Sequence, residues 1–160
     1  MAAGLGGVLT VGTNGEAALL EDDEADRVIA AARQEVPSDR VLLAGAGHES
    51  TRATIAAARR AAAAGADAVL VKTPSVYRAH VSAAGLISHY LAVADASPVP
   101  VLLYNFPGST GVNLTPETVA RLFEVGPNAY TPGTKMPEQR IGSPDDRKAL
   151  TDFLARATVK

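Results

Sequence analysis

Four short apolar segments recur along the chain, and each is rich in β-branched residues and leucine. They are GVLTV at 7–11, RVLLAG at 40–45, DAVLVKT at 67–73 and VPVLLYN at 99–105. Short runs without polar alternation are typical of strands that are buried on both faces of a parallel sheet. The sequence therefore predicts four parallel strands.

The segments between these strands carry apolar residues at helical spacing. The stripes comprise Ala25, Val28, Ile29, Ala32 and Val36; then Ile55, Ala58 and Ala62; then Leu86, Ile87, Tyr90, Leu91 and Ala94. Capping signals place helix starts at Ser50 or Thr51, and prolines at first-turn positions place two more starts near Pro116 and Pro144. Each predicted strand is thus followed by a helix, and a last helix ends the chain.

Strands and helices alternate with a period of roughly 30 residues, which is typical of βαβ units with right-handed crossovers. Two architectures share this order: an open doubly wound sheet, and a (β/α)8 TIM barrel, which needs about 250 residues. Four strands are half the number that a barrel requires. The periodicity alone predicts an α/β fold and leaves both architectures open.

Composition narrows the choice of partners. The chain has 160 residues and a formal net charge of -2, with its basic residues dispersed, which disfavours nucleic acid as a partner. It has no cysteine, and its three histidines lack metal-ligand spacing, so we expect no metal and no disulfide. No apolar segment is long enough to span a membrane, and no signal peptide is visible. We therefore expect a cytoplasmic protein that binds neither nucleic acid nor membrane.

Candidate chemistry follows the strands, because ligands of parallel α/β folds bind at the carboxyl ends of the strands. After the first strand, GTNGEAALL offers Thr13, Asn14 and backbone N–H groups to a carboxylate or phosphate, or it forms a glycine turn that only satisfies its own backbone. Tyr104 ends the fourth strand and either presents its hydroxyl there or simply packs. Lys72 interrupts the third strand, and we interpret it as an amphipathic lysine along the surface. The loop GAGHEST is interpreted as structural.

Three segments together resemble one family. GTNGEAALL, LLAGAGHESTRATIAAARRAAAAGADAVLVKTP and VPVLLYNFPGSTGVNLTPETVARL are similar, in order and spacing, to the dihydrodipicolinate synthase / N-acetylneuraminate lyase family, and within it to the 4-hydroxy-2-oxoglutarate aldolases. The resemblance covers roughly residues 4 to 128. It implies a partial TIM barrel at 1–128, an irregular connection at 129–142 and a C-terminal helix at 143–160.

The resemblance also implies an activity. Members are class I aldolases, in which a lysine forms a Schiff base with pyruvate or a larger 2-keto acid, without a cofactor. Carried over to this chain, Thr13 and Asn14 bind the keto-acid carboxylate, and Tyr104 moves protons near the imine. Ser109 stands where the synthases usually have an arginine for a second carboxylate, which disfavours dihydrodipicolinate synthesis itself.

The catalytic lysine has two interpretations. In the first, PNAYTPGTKMPE supplies Lys135 as the Schiff-base residue, although Pro132 is unsuited to a central strand. In the second, PGTKMPEQRIGSPDDRKALTDFL matches the end of a family member, so that the catalytic strand and its neighbours are deleted. We favour the second alignment.

Three hypotheses about function result. The chain is a pyruvate-dependent Schiff-base aldolase of the 4-hydroxy-2-oxoglutarate type, or it is a truncated, inactive member that binds small 2-keto acids or only self-associates. An open flavodoxin-like module unrelated to the family is the third. Because half a barrel leaves two open sheet edges and a bare inner face, we also expect a flattened sheet or a homo-oligomer.

Overall fold

The fold is a four-stranded parallel sheet with helices packed on one face. The computed structural model describes residues 4–125, 141 and 143–156. The strands are β1 (Gly7–Thr10), β2 (Val41–Gly45), β3 (Ala68–Lys72) and β4 (Val101–Tyr104). They pair in parallel in the order β1-β2-β3-β4. All four predicted strands are confirmed.

A helix follows each strand, as the periodicity predicts. The helices are α1 (Asp22–Glu35), α2 (Thr51–Ala63), α3 (Ala83–Ala96), the single turn α4 (Pro107–Thr110), α5 (Pro116–Val125) and α6 (Pro144–Arg156). Short 3-10 turns lie at Thr13–Gly15, Ala17–Leu19 and Arg78–His80. The 3-10 turns and α4 have no counterpart in the sequence prediction, because they are too short to show a period.

Local chemistry fixes where the helices begin. The Ser50 hydroxyl accepts a hydrogen bond from the Ala53 N–H at 3.1 Å, so Ser50 rather than Thr51 caps α2. Helix α1 begins with a capping box in which Glu21 and Glu24 satisfy each other's backbone N–H groups. After α2, Gly65 adopts a φ of 101°, a conformation that glycine tolerates and other residues rarely adopt.

The hydrophobic core lies between the helices and one face of the sheet. Leu42, Ala44, Val69 and Val71 point toward the helices and are fully buried. From α3, the Tyr90 hydroxyl reaches back to the strand and donates to the Val71 carbonyl at 3.2 Å. Alanines of α2 allow that helix to pack closely. Val28, which the apolar stripe of α1 predicts to be buried, is 42% exposed. The buried face of α1 centres on Ile29, and Val28, one position earlier, is rotated from it by about 100° around the helix axis.

The opposite face of the sheet has no covering layer among the described residues. Leu9, Val41 and Leu102 lie on this face and are 45%, 47% and 39% exposed. In a closed barrel this is the inward face. The partial barrel implied by the sequence therefore agrees with the observed sheet.

The C-terminal helix α6 packs against α5, and the Ile141 N–H donates to the Phe123 carbonyl at 3.1 Å. Helix α6 lies within the helical segment predicted at 143–160. Most of the irregular connection predicted at 129–142 lies outside the described residues, so these boundaries stay predictions.

Candidate functional site

A cavity of about 600 Å³ opens at the carboxyl end of the sheet. All four strands contribute to its wall, through Thr13 after β1, Gly47 after β2, Lys72 at the end of β3 and Tyr104 at the end of β4. This is the position at which parallel α/β folds bind ligands. The volume lies within the range of about 300 to 1,000 Å³ that is common for small-molecule sites.

The turn after β1 is held in an unusual conformation. Val11 and Glu16 have φ values of 49° and 56°, in the left-handed region that residues other than glycine avoid. Between them the Gly15 N–H donates to the Gly12 carbonyl at 3.0 Å. A side chain on Gly45 is excluded by the turn, since its Cβ would lie 2.0 Å from the Val11 carbonyl oxygen. Backbone strain of this kind is frequent at binding sites, where the surrounding structure stabilises it.

The loop after β4 is fixed by Asn105. Its side-chain oxygen accepts from the Leu114 N–H at 2.9 Å, and its amide nitrogen donates to the Asn113 side chain at 2.8 Å. Before this loop, the half-buried ring of Tyr104 stacks on Phe106 with centroids 5.4 Å apart and planes at 15°. Tyr104 therefore has a restricted orientation at the cavity wall.

A third arrangement joins the loops after β2 and β3. The Glu49 carboxylate accepts hydrogen bonds from the Ser75 N–H at 2.8 Å, the Ser75 hydroxyl at 2.9 Å and the Val76 N–H at 2.9 Å. The Lys72 ammonium lies 3.3 Å from the same carboxylate. Partial burial opposes ionisation, but the hydrogen bonds from Val76 and Ser75 and the charge of Lys72 outweigh it and lower the pKa of Glu49 to about 2. Glu49 is therefore ionised at neutral pH and ties the two loops together.

The sequence-predicted site residues are brought together only in part. Thr13 and Tyr104 line the same cavity. Asn14 is exposed and is not among the residues of the cavity wall. Lys135 lies outside the described residues, so its proposed role stays a prediction. Lys72, interpreted from the sequence as a surface lysine, lines the cavity instead and is paired with Glu49.

Sequence reasoning missed Glu49, whose contacts connect residues that are 23 to 27 positions apart in the chain. One signal was available, because a lysine inside a buried strand pattern requires a partner. The interpretation of GAGHEST as a structural loop is consistent with these bonds. Ser109, which stands where the synthases usually have an arginine, also lines the cavity.

The histidines have packing or surface positions. His48 and His80 are exposed, while His89 is buried, with its Nδ1 2.9 Å from the Thr51 hydroxyl. Burial lowers the pKa of His89, so it stays neutral at neutral pH. No cluster of three or more potential metal ligands occurs among the described residues. Within the same part of the chain, no helix is both long and apolar enough to cross a membrane.

The sheet topology and the position of the cavity define a βα-repeat protein with a cavity at the carboxyl ends of its strands. The chain belongs to the dihydrodipicolinate synthetase family, whose pattern matches residues 1–130. The resemblance stated from its sequence motifs is thereby confirmed.

Similar proteins include both synthases and aldolases. The 4-hydroxy-tetrahydrodipicolinate synthase of Xanthomonas axonopodis pv. citri is 50% identical over 119 residues, covering 74% of this chain and 39% of the relative. A probable mitochondrial 4-hydroxy-2-oxoglutarate aldolase of Emericella nidulans is 44% identical over 160 residues, covering 97% of this chain and 49% of the relative. The chain thus spans half or less of the length of these relatives.

Solved structures share the fold. The dihydrodipicolinate synthase of Acinetobacter baumannii, crystallised with pyruvate, superimposes with a TM-score of 0.72 at 39% identity, covering 76% of this chain and 41% of that protein. The open flavodoxin-like module is therefore wrong as an architecture for this chain, because the sheet matches part of a family barrel.

Proposed function

We propose that this chain acts on pyruvate or a larger 2-keto acid as a class I, Schiff-base aldolase, most similar to the 4-hydroxy-2-oxoglutarate type. The proposal rests on one observation: Thr13, which follows the outer strand β1, and Tyr104, which ends the outer strand β4, line the same cavity at the carboxyl end of the sheet. The pyruvate in the crystals of the similar Acinetobacter baumannii enzyme supports the substrate class.

In this proposal each residue has a defined role. The Lys135 amine attacks the keto carbon, the carbonyl oxygen leaves as water, and the resulting Schiff base accepts electrons as the C–C bond breaks or forms. Thr13 donates a hydrogen bond to the substrate carboxylate, with Asn14 beside it in the same turn. Tyr104, held by its stacking on Phe106, transfers a proton near the imine.

The similarity to an aldolase extends along almost the whole chain. The match to the Emericella nidulans aldolase includes 97% of this chain, so it extends through the segment that contains Lys135. The match to the Xanthomonas synthase includes only 74% of the chain. Trapping of the Schiff base decides between Lys135 as the nucleophile and the alignment in which the catalytic strand is deleted.

Trapping with borohydride tests the catalytic proposal. Pyruvate and sodium borohydride are added to the parent protein, and the reduced adduct is located by peptide mass spectrometry. We expect the adduct on Lys135, its loss in Lys135→Ala and its retention in the control Lys148→Ala, since Lys148 pairs with Asp152 on α6. An adduct on another lysine, or none, would eliminate Lys135 as the nucleophile.

The second candidate is a family member that binds 2-keto acids without turning them over. It is favoured by the cavity itself, because Thr13 lines it and can donate to a carboxylate without any catalytic lysine. Calorimetry with pyruvate separates the two. Binding without an adduct supports this candidate, and an unchanged affinity in Thr13→Val would remove Thr13 from the site.

Location and assembly belong to the same proposal. We propose a cytoplasmic homo-oligomer, in which a second copy covers the exposed apolar face of the sheet. The similar Emericella nidulans protein is described as mitochondrial, so fractionation of the source cells distinguishes the two compartments.

A further inference from the structure

Lys72 lies inside the cavity wall beside the proposed reaction centre. It ends β3 on the face of the sheet that is not covered by helices, and its register partner on β4 is Tyr104. Both residues line the cavity with Thr13. A cation therefore lies next to the tyrosine that we propose to act in proton transfer.

The direction of the Lys72 side chain is set by its neighbours. A Cβ placed on Gly47 would lie 2.7 Å from the Lys72 Cγ, so the aliphatic stem passes against bare glycine backbone. The ammonium group then meets the Glu49 carboxylate at 3.3 Å. Because the stem and the ammonium are both held, Lys72 has less conformational freedom to lose on binding a ligand than an unconstrained lysine has.

The pairing with Glu49 leaves Lys72 able to bind a second anion. Glu49 already accepts three hydrogen bonds from Ser75 and Val76, and these stabilise its negative charge together with Lys72. An ammonium group has three N–H donors, of which Glu49 engages one. The Lys72 side chain is 33% exposed and lines the cavity, so a ligand in the cavity can approach it.

The other charged groups of the cavity wall are differently engaged. They are Glu16, Asp22, Asp26, Glu49 and Arg60, with His48 as a further titratable group. Arg60 binds two carboxylates of α1, Asp22 at 2.7 Å and Asp26 at 3.3 Å. Arg60 is thus committed to the contact between α1 and α2. Among the described residues, Lys72 is therefore the cation of the cavity wall whose charge is least neutralised, because it meets one carboxylate and Arg60 meets two.

We propose that Lys72 binds the second carboxylate of a dicarboxylic 2-keto acid, and that it thereby selects such substrates over pyruvate-like monocarboxylates. The inference rests on the proposed function and names a specificity-determining residue of that same site. Thr13 holds the first carboxylate near β1, and Lys72 holds the second near β3. A cavity of about 600 Å³ has room for a ligand larger than pyruvate.

Calorimetry with a matched pair of ligands tests the inference. The probes are 2-oxoglutarate and 2-oxopentanoate, which has a methyl group where 2-oxoglutarate has its distal carboxylate. We expect the parent to bind 2-oxoglutarate about tenfold to hundredfold more tightly, which is the usual effect of a charge-assisted hydrogen bond. Lys72→Met is expected to remove this preference, Lys72→Arg to retain part of it, and Lys148→Met to leave it intact.

The outcomes separate this inference from the proposed function. Pyruvate binding by Lys72→Met, measured in parallel, shows that the variant is folded. Two results would show that Lys72 is not the specificity residue and would leave the proposed 2-keto acid site unaffected. In the first, the parent binds pyruvate but does not prefer 2-oxoglutarate to 2-oxopentanoate; in the second, Lys72→Met keeps that preference. If the parent binds none of the three ligands, the proposed function and the inference both fail. If Lys72→Met does not fold, Lys72→Arg is measured instead. This variant keeps the positive charge, so a folded Lys72→Arg with no preference for 2-oxoglutarate over 2-oxopentanoate contradicts the inference.

Discussion

Glu49 concentrates four favourable contacts on one carboxylate, and this gives it a measurable acid sensitivity. Its pKa of about 2 lies below the ordinary 4.5, so its contribution to stability is present above about pH 4.5 and is lost as the pH falls toward 2. The shift corresponds formally to about 3 kcal/mol. Because 39% of the side chain is exposed, solvent screening reduces the expected contribution to about 1 kcal/mol.

We therefore predict that Glu49→Gln lowers the free energy of unfolding by about 1 kcal/mol at pH 7, and that the difference from the parent vanishes near pH 2. Urea denaturation at a series of pH values measures both effects. Glu35→Gln is the control, since Glu35 is exposed at the end of α1. A deficit that is the same at every pH would show that the charge of Glu49 is irrelevant.

Glu16 is strained by its own backbone, because its φ of 56° lies in the left-handed region. Glycine adopts this conformation without a steric penalty, so Glu16→Gly is expected to raise the free energy of unfolding by about 0.5 to 1 kcal/mol. Thermal denaturation measures the change. The control is Ala18→Gly, two positions away and without a positive φ, which is expected to be destabilising. Equal loss of stability in both variants would argue against strain at Glu16.

The predictability of the site differs from residue to residue. Thr13 and Tyr104 were predictable because each directly follows or ends an apolar run, and parallel strands bring their carboxyl ends to one side. The pairing of Lys72 with Glu49 was not predictable, because Glu49 lies 23 positions away and has no periodic signal. Contacts of this kind depend on which loops the sheet places side by side.

Helix α2 is the element whose packing depends most clearly on small side chains. Ala58 and Ala61 are 0% and 1% exposed, and the helix packs directly on β3. Added methylene groups at such a position force neighbouring side chains out of their rotamers. We predict that Ala58→Leu lowers the free energy of unfolding by about 1 to 3 kcal/mol in urea denaturation.

Ala56 supplies the matched control, because it lies on the exposed side of the same helix. Ala56→Leu changes the same atoms and is expected to alter stability by less than about 0.5 kcal/mol. If the two variants lose stability equally, then the close approach of α2 to the sheet is not what limits residue size at position 58.

The elements were predictable to the extent that they are periodic. The strands followed from four apolar runs, and the starts of α2, α5 and α6 from capping residues and prolines. Helix α4 and the three 3-10 turns were not visible, because three or four residues carry no period. The exposure of Val28 shows the same limit, since an apolar stripe does not reveal how wide a face its neighbours cover.

At the scale of the whole molecule, the sheet has helices on one face and two outer strands, β1 and β4. A closed (β/α)8 barrel has no such outer strands and fills its interior with side chains from all strands. Leu9, Val41 and Leu102 instead remain between 39% and 47% exposed. In the part of the chain that the structure describes, this apolar surface lies next to the unpaired edges of β1 and β4. Such surfaces promote association.

We accordingly predict that the 160-residue chain self-associates through the uncovered face, and that Leu102→Glu shifts it toward the monomer. A charge at this position has to be desolvated when the face is covered, which opposes association without disturbing the core on the other side of the sheet. Sedimentation velocity over a range of concentrations measures the shift. Val28→Glu is a control of nearly equal exposure, 42% against 39%, on α1. A parent that sediments as a monomer at all concentrations, or an assembly that Val28→Glu disrupts as strongly as Leu102→Glu, would place the contact somewhere other than the inner face.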